Sequence, residues 1–189
     1  LTAKFTKENV QKDEVKLPDA GVEVTDSASN GKYTVTSSGA SEATVEFTGV
    51  ADKKLTQYKI PDSIQINGVD CKITSIKANA FKGNKKLKKV TIGSNVTTIG
   101  DKAFYQASSL KEVVISSNVK KIGKQVFANN KKLKKITIKT KKLTKKSVGK
   151  NAFKGIHAKA IIIVPAKKLT SYKKLLKEKG VGKKVVIKK

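Results

Sequence analysis

The 189-residue chain is long enough for one ordinary domain or one short repeat array, and its 42 basic and 14 acidic side chains give a net charge of +28. Every basic residue is lysine, and the single cysteine, Cys71, excludes an internal disulfide. Methionine is absent, no signal peptide is recognisable, and no apolar run reaches the roughly 20 residues of a membrane helix. We therefore expect a processed form or a fragment of a longer protein, without a membrane span.

The charge divides the chain into two regions. Residues 1–70 contain 8 lysines and 11 acidic residues, whereas residues 71–189 contain 34 lysines and 3 acidic residues. Residues 1–20 have no clear hydrophobic period, and we interpret them as a linker or tail. Residues 21–50 contain two alternating segments, "GKYTVTSS" and "EATVEFTG", which predict a β-rich N-terminal cap formed by a hairpin.

A repeat array is predicted over residues 51–164. The pattern L-x-x-V-x-I-x-x-N-V-x-x-I-G-x-x-A-F begins at Leu87, restarts at Leu110 and restarts again at Leu133. Other apolar positions keep the same 23-residue interval: Ile76, Ile99 and Ile122; Phe81, Phe104 and Phe127; Ile92, Ile115 and Ile138. In each copy a short alternating segment such as "KKVTIG" predicts a strand with one buried face. Because one unit cannot bury its own apolar side, the units should stack into a solenoid.

The units at both ends of the array depart from this period. Near residues 62–74, "SIQINGVDCKI" predicts an inserted hairpin with Asn67 and Gly68 at its turn. Residues 165–189 are predicted to form a C-terminal cap. Its segment "AKKLTSYKKLLKEKG" has apolar side chains at helical spacing between a starting proline and a closing glycine, and "GKKVVIKK" predicts an edge strand.

The segments "LKKVTIGSNVTTIGDKAF" and "LKEVVISSNVKKIGKQVF" resemble the BspA-like leucine-rich repeat, whose units run about 23 residues. The similar stretch covers about residues 50–189. Val126 departs from the usual alanine, and Asn84, Ala107 and Asn130 stand where many members have cysteine. The resemblance implies a leucine-rich repeat solenoid in a secreted or wall-attached bacterial protein. It also implies that the repeats present a binding surface and share no catalytic residues.

The residues do not predict a catalytic or metal site. His157 lies in "KGIHAKA" without a second ligand at metal spacing, and structural zinc needs four donors. Gly149 and Lys150 lack the earlier glycine and the following Ser or Thr of a phosphate-binding loop. Paired carboxylates are also lacking, because the acidic residues of the basic region are only Asp101, Glu112 and Glu178. We expect neither an enzyme nor a cofactor.

The lysines are the feature that could carry a function. In register, Glu112 stands between Lys89 and Lys135 on strands about 4.8 Å apart, so opposite charges offset repulsion. The outward positions of these strands form our candidate ligand surface: Lys89, Thr91, Glu112, Val114, Lys135, Thr137 and Lys139. The alternative is that the lysines form solvated rims that discourage edge pairing and have no further role.

Three hypotheses for the function remain open. The first is a non-catalytic extracellular binding or adhesion module, acting as a monomer, whose basic repeat surface binds a protein, a glycan or an anionic wall polymer. The second is a structural spacer or wall-targeting module of a larger secreted enzyme. The third, nucleic-acid binding, is disfavoured because arginine is absent and the basic region has few aromatic residues.

Overall fold

The computed structural model describes residues 16–39 and 42–189. Most of the predicted linker at residues 1–20 therefore lies outside the described residues, although Leu17 within it is buried in the core. A short 3-10 helix, Ala166–Lys168, leads into the α-helix. The other elements, in chain order, are β1 (Glu23–Asp26), β2 (Gly31–Ser37), β3 (Thr44–Val50), β4 (Gln57–Lys59), β5 (Ser63–Ile66), β6 (Val69–Ile76), β7 (Lys89–Thr91), β8 (Thr98–Ile99), β9 (Glu112–Ile115), β10 (Lys121–Ile122), β11 (Lys135–Ile138), β12 (Ile161–Ile163), α1 (Leu169–Glu178) and β13 (Val186–Lys188).

The strands form two sheets that enclose one hydrophobic core, so the predicted solenoid is confirmed. Sheet A has the order β1-β2-β3-β6-β8-β10, with β5 paired to β6, and sheet B has the order β13-β12-β11-β9-β7-β4. Every pairing within sheet B is parallel. Each regular unit contributes one strand to sheet B and one shorter strand to sheet A. The short strands β8 and β10 were not predicted, because two successive residues carry no alternation.

The N-terminal strands extend sheet A and cover the first end of the core. Strands β2 and β3 form the predicted antiparallel hairpin, and β3 then pairs in parallel with β6. The second predicted hairpin, β5–β6, is also present. Asn67 and Gly68 at its turn have φ values of 49° and 77°. A two-residue hairpin turn with positive φ at both positions matches the twist of its strands. Because Asn and Gly favour positive φ, the Asn-Gly pair predicted this turn.

A column of phenylalanine rings runs through the core from the N-terminal cap to the last rung. Its members are Phe47, Phe81, Phe104, Phe127 and Phe153, with successive ring centroids 5.3, 5.1, 5.3 and 5.5 Å apart. The rings are stacked nearly parallel, and each side chain is at most 2% exposed. The three inner rings therefore bury both of their faces against rings on either side, which a single unit could not achieve.

The turns that lead from sheet A to sheet B share an uncommon backbone conformation. Each contains two left-handed residues four positions apart: Asn79 and Gly83, Lys102 and Gln106, Gln125 and Asn129, Asn151 and Gly155. Successive turns are joined by backbone hydrogen bonds, such as the 2.7 Å bond from Phe81 N–H to the Ala103 carbonyl. The stack is therefore held at the turns as well as in the sheets.

The C-terminal helix closes the last rung, as predicted. Its apolar side buries Tyr172, Leu175 and Leu176. The Tyr172 hydroxyl donates to the Thr140 carbonyl at 3.1 Å and accepts from the Leu143 N–H at 3.0 Å. These bonds fix residues 140–143 of a rung that is three residues longer than its neighbours between Ile138 and Phe153. Strand β13 then pairs with β12 at the edge of sheet B.

Gly83 offers a test of the left-handed turns. Its φ is +70°, and an added Cβ would meet nothing within 4 Å, so only backbone strain opposes a side chain there. We predict that Gly83→Ala lowers the free energy of unfolding by about 1 kcal/mol, measured by urea denaturation. Gly182→Ala is the matched control, because Gly182 has equal space and no left-handed backbone. Equal effects of the two substitutions would contradict this explanation.

Candidate ligand-binding surface

The predicted surface residues lie together on the outward side of sheet B, which we call the open face. They alternate along each strand with buried residues such as Val90 and Val113. Strand pairing arranges six of them in two rows across the sheet: Lys89, Glu112 and Lys135; Thr91, Val114 and Thr137. The seventh, Lys139, follows β11, and its N–H donates to the Ile115 carbonyl at 2.9 Å.

Glu112 neutralises the centre of the open face. Its carboxylate lies 3.7 Å from the Lys89 ammonium and 3.2 Å from the Lys135 ammonium. The Glu112 side chain is 26% exposed, and ion pairs with this degree of solvation contribute about 0–1 kcal/mol to stability. The pairs therefore affect the charge of the surface more than the stability of the fold.

The open face continues into an apolar patch that the sequence analysis missed. Ile161 and Val186 extend the first row beyond Lys135, and Ile163 extends the second. Ile161 and Val186 are 37% and 52% exposed, and within residues 16–39 and 42–189 they are two of the three exposed large apolar side chains. The run "AIIIVP" does not show which isoleucines face solvent. Counting 23 residues on from Lys135, and adding the three extra residues between Ile138 and Phe153, would have shown it.

A row of lysines borders sheet B where its strands begin. Lys88, Lys111 and Lys134 keep the 23-residue interval and are exposed. Bonds of 2.8 Å from Lys111 N–H to the Lys88 carbonyl and 3.0 Å from Lys134 N–H to the Lys111 carbonyl align them. Neighbouring strands are about 4.8 Å apart, so these like charges repel one another and stay solvated. The row fits both a cationic surface and a solvated rim.

The histidine and cysteine side chains, which could serve as catalytic or metal-binding groups, have structural surroundings. The His157 ring nitrogen Nδ1 accepts the Lys159 N–H at 3.1 Å. Burial raises the pKa of the Cys71 thiol, so this side chain remains a protonated core residue at neutral pH. In the part of the chain that the structure describes, no three His, Cys, Asp or Glu side chains are grouped to hold a metal ion. The same residues include no helix with the length and apolarity needed to cross a membrane.

Solved bacterial leucine-rich repeat structures share this architecture. A leucine-rich cell surface protein of Faecalibacterium prausnitzii A2-165 is 25% identical over 78% of this chain, with a TM-score of 0.59. A leucine-rich repeat protein of Bacteroides ovatus is 29% identical over 75% of the chain, with the same TM-score of 0.59. A third, from Bacteroides capillosus, is 26% identical over 71% of the chain, with a TM-score of 0.56.

These relatives differ in length. The matched region makes up 38% of the F. prausnitzii protein, 36% of the B. ovatus protein and 96% of the B. capillosus protein. No curated protein matches the chain significantly. A family model described as the BspA type leucine rich repeat region matches residues 50–174 in six copies. With its repeats stacked in a constant register, the chain belongs to the BspA-type leucine-rich repeat family.

Proposed function

We propose that this chain is a non-catalytic binding module of a bacterial cell-surface protein, and that its open face contacts a protein of the host extracellular matrix. The observation that carries the proposal is the mixed character of this face, where Ile161, Ile163 and Val186 adjoin the charged row around Glu112. The family and the similarity to a leucine-rich cell surface protein support a location outside the cell.

Protein interfaces commonly combine an apolar centre with a polar rim. The open face has both components in one plane, because parallel pairing places Ile161 and Val186 in line with Lys135. The backbone N–H and C=O groups of these strands are hydrogen-bonded within sheet B. A partner would therefore contact the open face through side chains. Exposed apolar side chains that adjoin one another on a soluble protein mark interaction surfaces more often than isolated ones do.

Charge favours a protein over an anionic polymer at this face. The seven candidate residues contain three lysines and one glutamate, and Glu112 pairs with two of those lysines. A polyanion crossing the face would meet the Glu112 carboxylate at its centre. A protein could instead place acidic groups beside Lys139 and apolar side chains on Ile161 and Val186.

A spacer or wall-targeting module is the second candidate. It is supported by two longer proteins, a leucine-rich cell surface protein and a leucine-rich repeat protein, because the matched region makes up only 38% and 36% of their chains. In this role the array would hold another domain away from the cell wall. Substitutions on the open face would then leave the binding of the larger protein unchanged.

The apolar patch provides the test of the first proposal. We predict that Ile161→Thr combined with Val186→Thr weakens binding to immobilised matrix proteins (fibronectin, fibrinogen and laminin) at least tenfold, about 1.4 kcal/mol. Threonine keeps the β-branched shape that suits a strand. Biolayer interferometry at physiological salt and again at high salt, about 1 M, would measure the affinities, and apolar contact predicts that most of the binding survives high salt.

Val22→Thr is the matched control. Val22 is the third exposed large apolar side chain of the described residues, with 43% exposure, and it lies outside the open face. Its substitution should leave the affinity unchanged. Equal losses in both variants, or no binding by the native chain to any of the three proteins, would contradict the proposal.

A further inference from the structure

A second charged feature lies away from the open face, where the β2–β3 hairpin meets the turns of the first three regular units. Two adjoining depressions of about 600 and 670 Å³ share Gly83 and Lys85 in their walls and together form what we call the basic groove. The first is lined by the lysines Lys32, Lys53, Lys54, Lys82, Lys85 and Lys86. The second adds Lys131 and Lys132.

The stacked turns bring these lysines together. Gly83 has a left-handed φ of 70°, and its N–H donates to the Tyr105 carbonyl at 2.8 Å, which fixes the turn that carries Lys85. Lys131 occupies the equivalent place two units later, so it lies about 10 Å along the stack at the usual strand spacing. In the intervening unit the equivalent residue is Ser108, which lines the groove between them.

The hairpin contributes the opposite wall. Gly49 at the end of β3 approaches the turn so closely that an added Cβ would lie 3.3 Å from the Ala80 carbonyl oxygen. This contact brings Lys32, Lys53 and Lys54 across from Lys82 in one depression. The groove is therefore built from segments that are far apart in the sequence.

The positive charge of the groove is not neutralised by the residues around it. No carboxylate lines either depression. The nearby Asp52, whose Oδ1 accepts the Lys54 backbone N–H at 2.8 Å, lines neither depression and can offset only one of the eight lysine charges. In residues 16–39 and 42–189 the ion pairs involve Lys89, Lys135 and Lys145, none of which lines the groove. A concave surface lined by one sign of charge concentrates the opposite charge.

The fold does not require these lysines. The middle unit has Ser108 and Ser109 where its neighbours have paired lysines, and the Ser109 hydroxyl donates to the Lys85 carbonyl at 2.7 Å. The stack therefore tolerates uncharged residues here. Clustering of like charges without compensating acids costs free energy, and binding an anion would recover it.

The other groups of the groove indicate which anion fits. Gln106, Ser108 and Asn129 present polar groups that can bond to sugar hydroxyls. Nucleic acid fits poorly, because the aromatic residue that lines the groove, Phe81, is 2% exposed and cannot stack on a base. A lysine ammonium is a point charge. It lacks the planar guanidinium group with which arginine makes two parallel hydrogen bonds to a base edge.

From these contacts we propose that the basic groove binds a linear anionic polysaccharide, with the lysines contacting its carboxylate or sulfate groups. The length of the groove across three units suits an extended polymer better than a single small anion. This site is separate from the open face, so a protein ligand and a polysaccharide could be held at the same time. The proposal does not depend on the one made for the open face.

A charge-matched pair of variants tests the groove. The groove variant carries Lys53→Gln, Lys54→Gln, Lys82→Gln, Lys85→Gln and Lys86→Gln. The cap variant replaces five exposed lysines of the C-terminal cap with glutamine: Lys173, Lys174, Lys177, Lys183 and Lys184. Both lose five positive charges, so they differ only in where the charge was. Isothermal titration with oligogalacturonate and with sulfated dextran oligomers, and neutral dextran as the blank, would measure affinity at several salt concentrations.

We predict that the groove variant binds both anionic oligosaccharides at least tenfold more weakly, whereas the cap variant stays within twofold of the native chain. The slope of log K against log salt should decrease by about 3 in the groove variant, as expected when several cation contacts are lost. Binding to only one oligomer would identify carboxylate or sulfate as the preferred group. Equal losses in the two variants, unchanged affinity of the groove variant, or equally tight binding of single-stranded DNA would overturn the proposal.

Discussion

The stacking of phenylalanine rings at a fixed interval is the constraint on which the rest of the structure depends. Phe81, Phe104 and Phe127 lie 5.1 and 5.3 Å apart, and each side chain is at most 2% exposed. One ring per unit can stack only if each unit returns the chain to the same place, as the unit that ends at Phe153 does despite its three extra residues. This register positions the sheet B strands, and it also brings the lysines of different units into rows and into the basic groove.

The charge of the chain is distributed over positions that the stack leaves free. Inward positions such as Val113 and Ile136 are fully buried, while the outward neighbours vary between lysine, glutamate, threonine and valine. The +28 net charge is thus not a requirement of the fold. It is also unevenly balanced on the surface, because Glu112 offsets lysines on the open face, whereas no carboxylate lines the basic groove. The two surfaces therefore suit different ligands.

Much of the fold could be predicted from the sequence, because the signals for it are local or periodic. The Asn67-Gly68 turn, the sheet B strands and helix α1 each had such a signal. The left-handed turns at Lys102 and Gln125 had none, since neither side chain favours positive φ. Those positions could have been found by aligning them with Asn79 and Asn151 in the neighbouring units.

The candidate sites were harder to predict than the fold. The charged rows of the open face followed from the period, but the apolar patch depends on the strand register of the C-terminal cap. The groove depends on Gly49 packing against Ala80, a contact that no repeat pattern encodes.

The most direct test of the stacking account is deletion of one whole unit, residues 95–117, which removes Phe104 and should leave Phe81 stacked on Phe127. We predict a cooperative thermal transition and a β-rich circular dichroism spectrum for this chain, but not for one that lacks residues 95–122, because that deletion leaves Phe81 and Phe127 only 18 positions apart, too few for one complete unit. Loss of cooperative unfolding in both deletions would contradict the account.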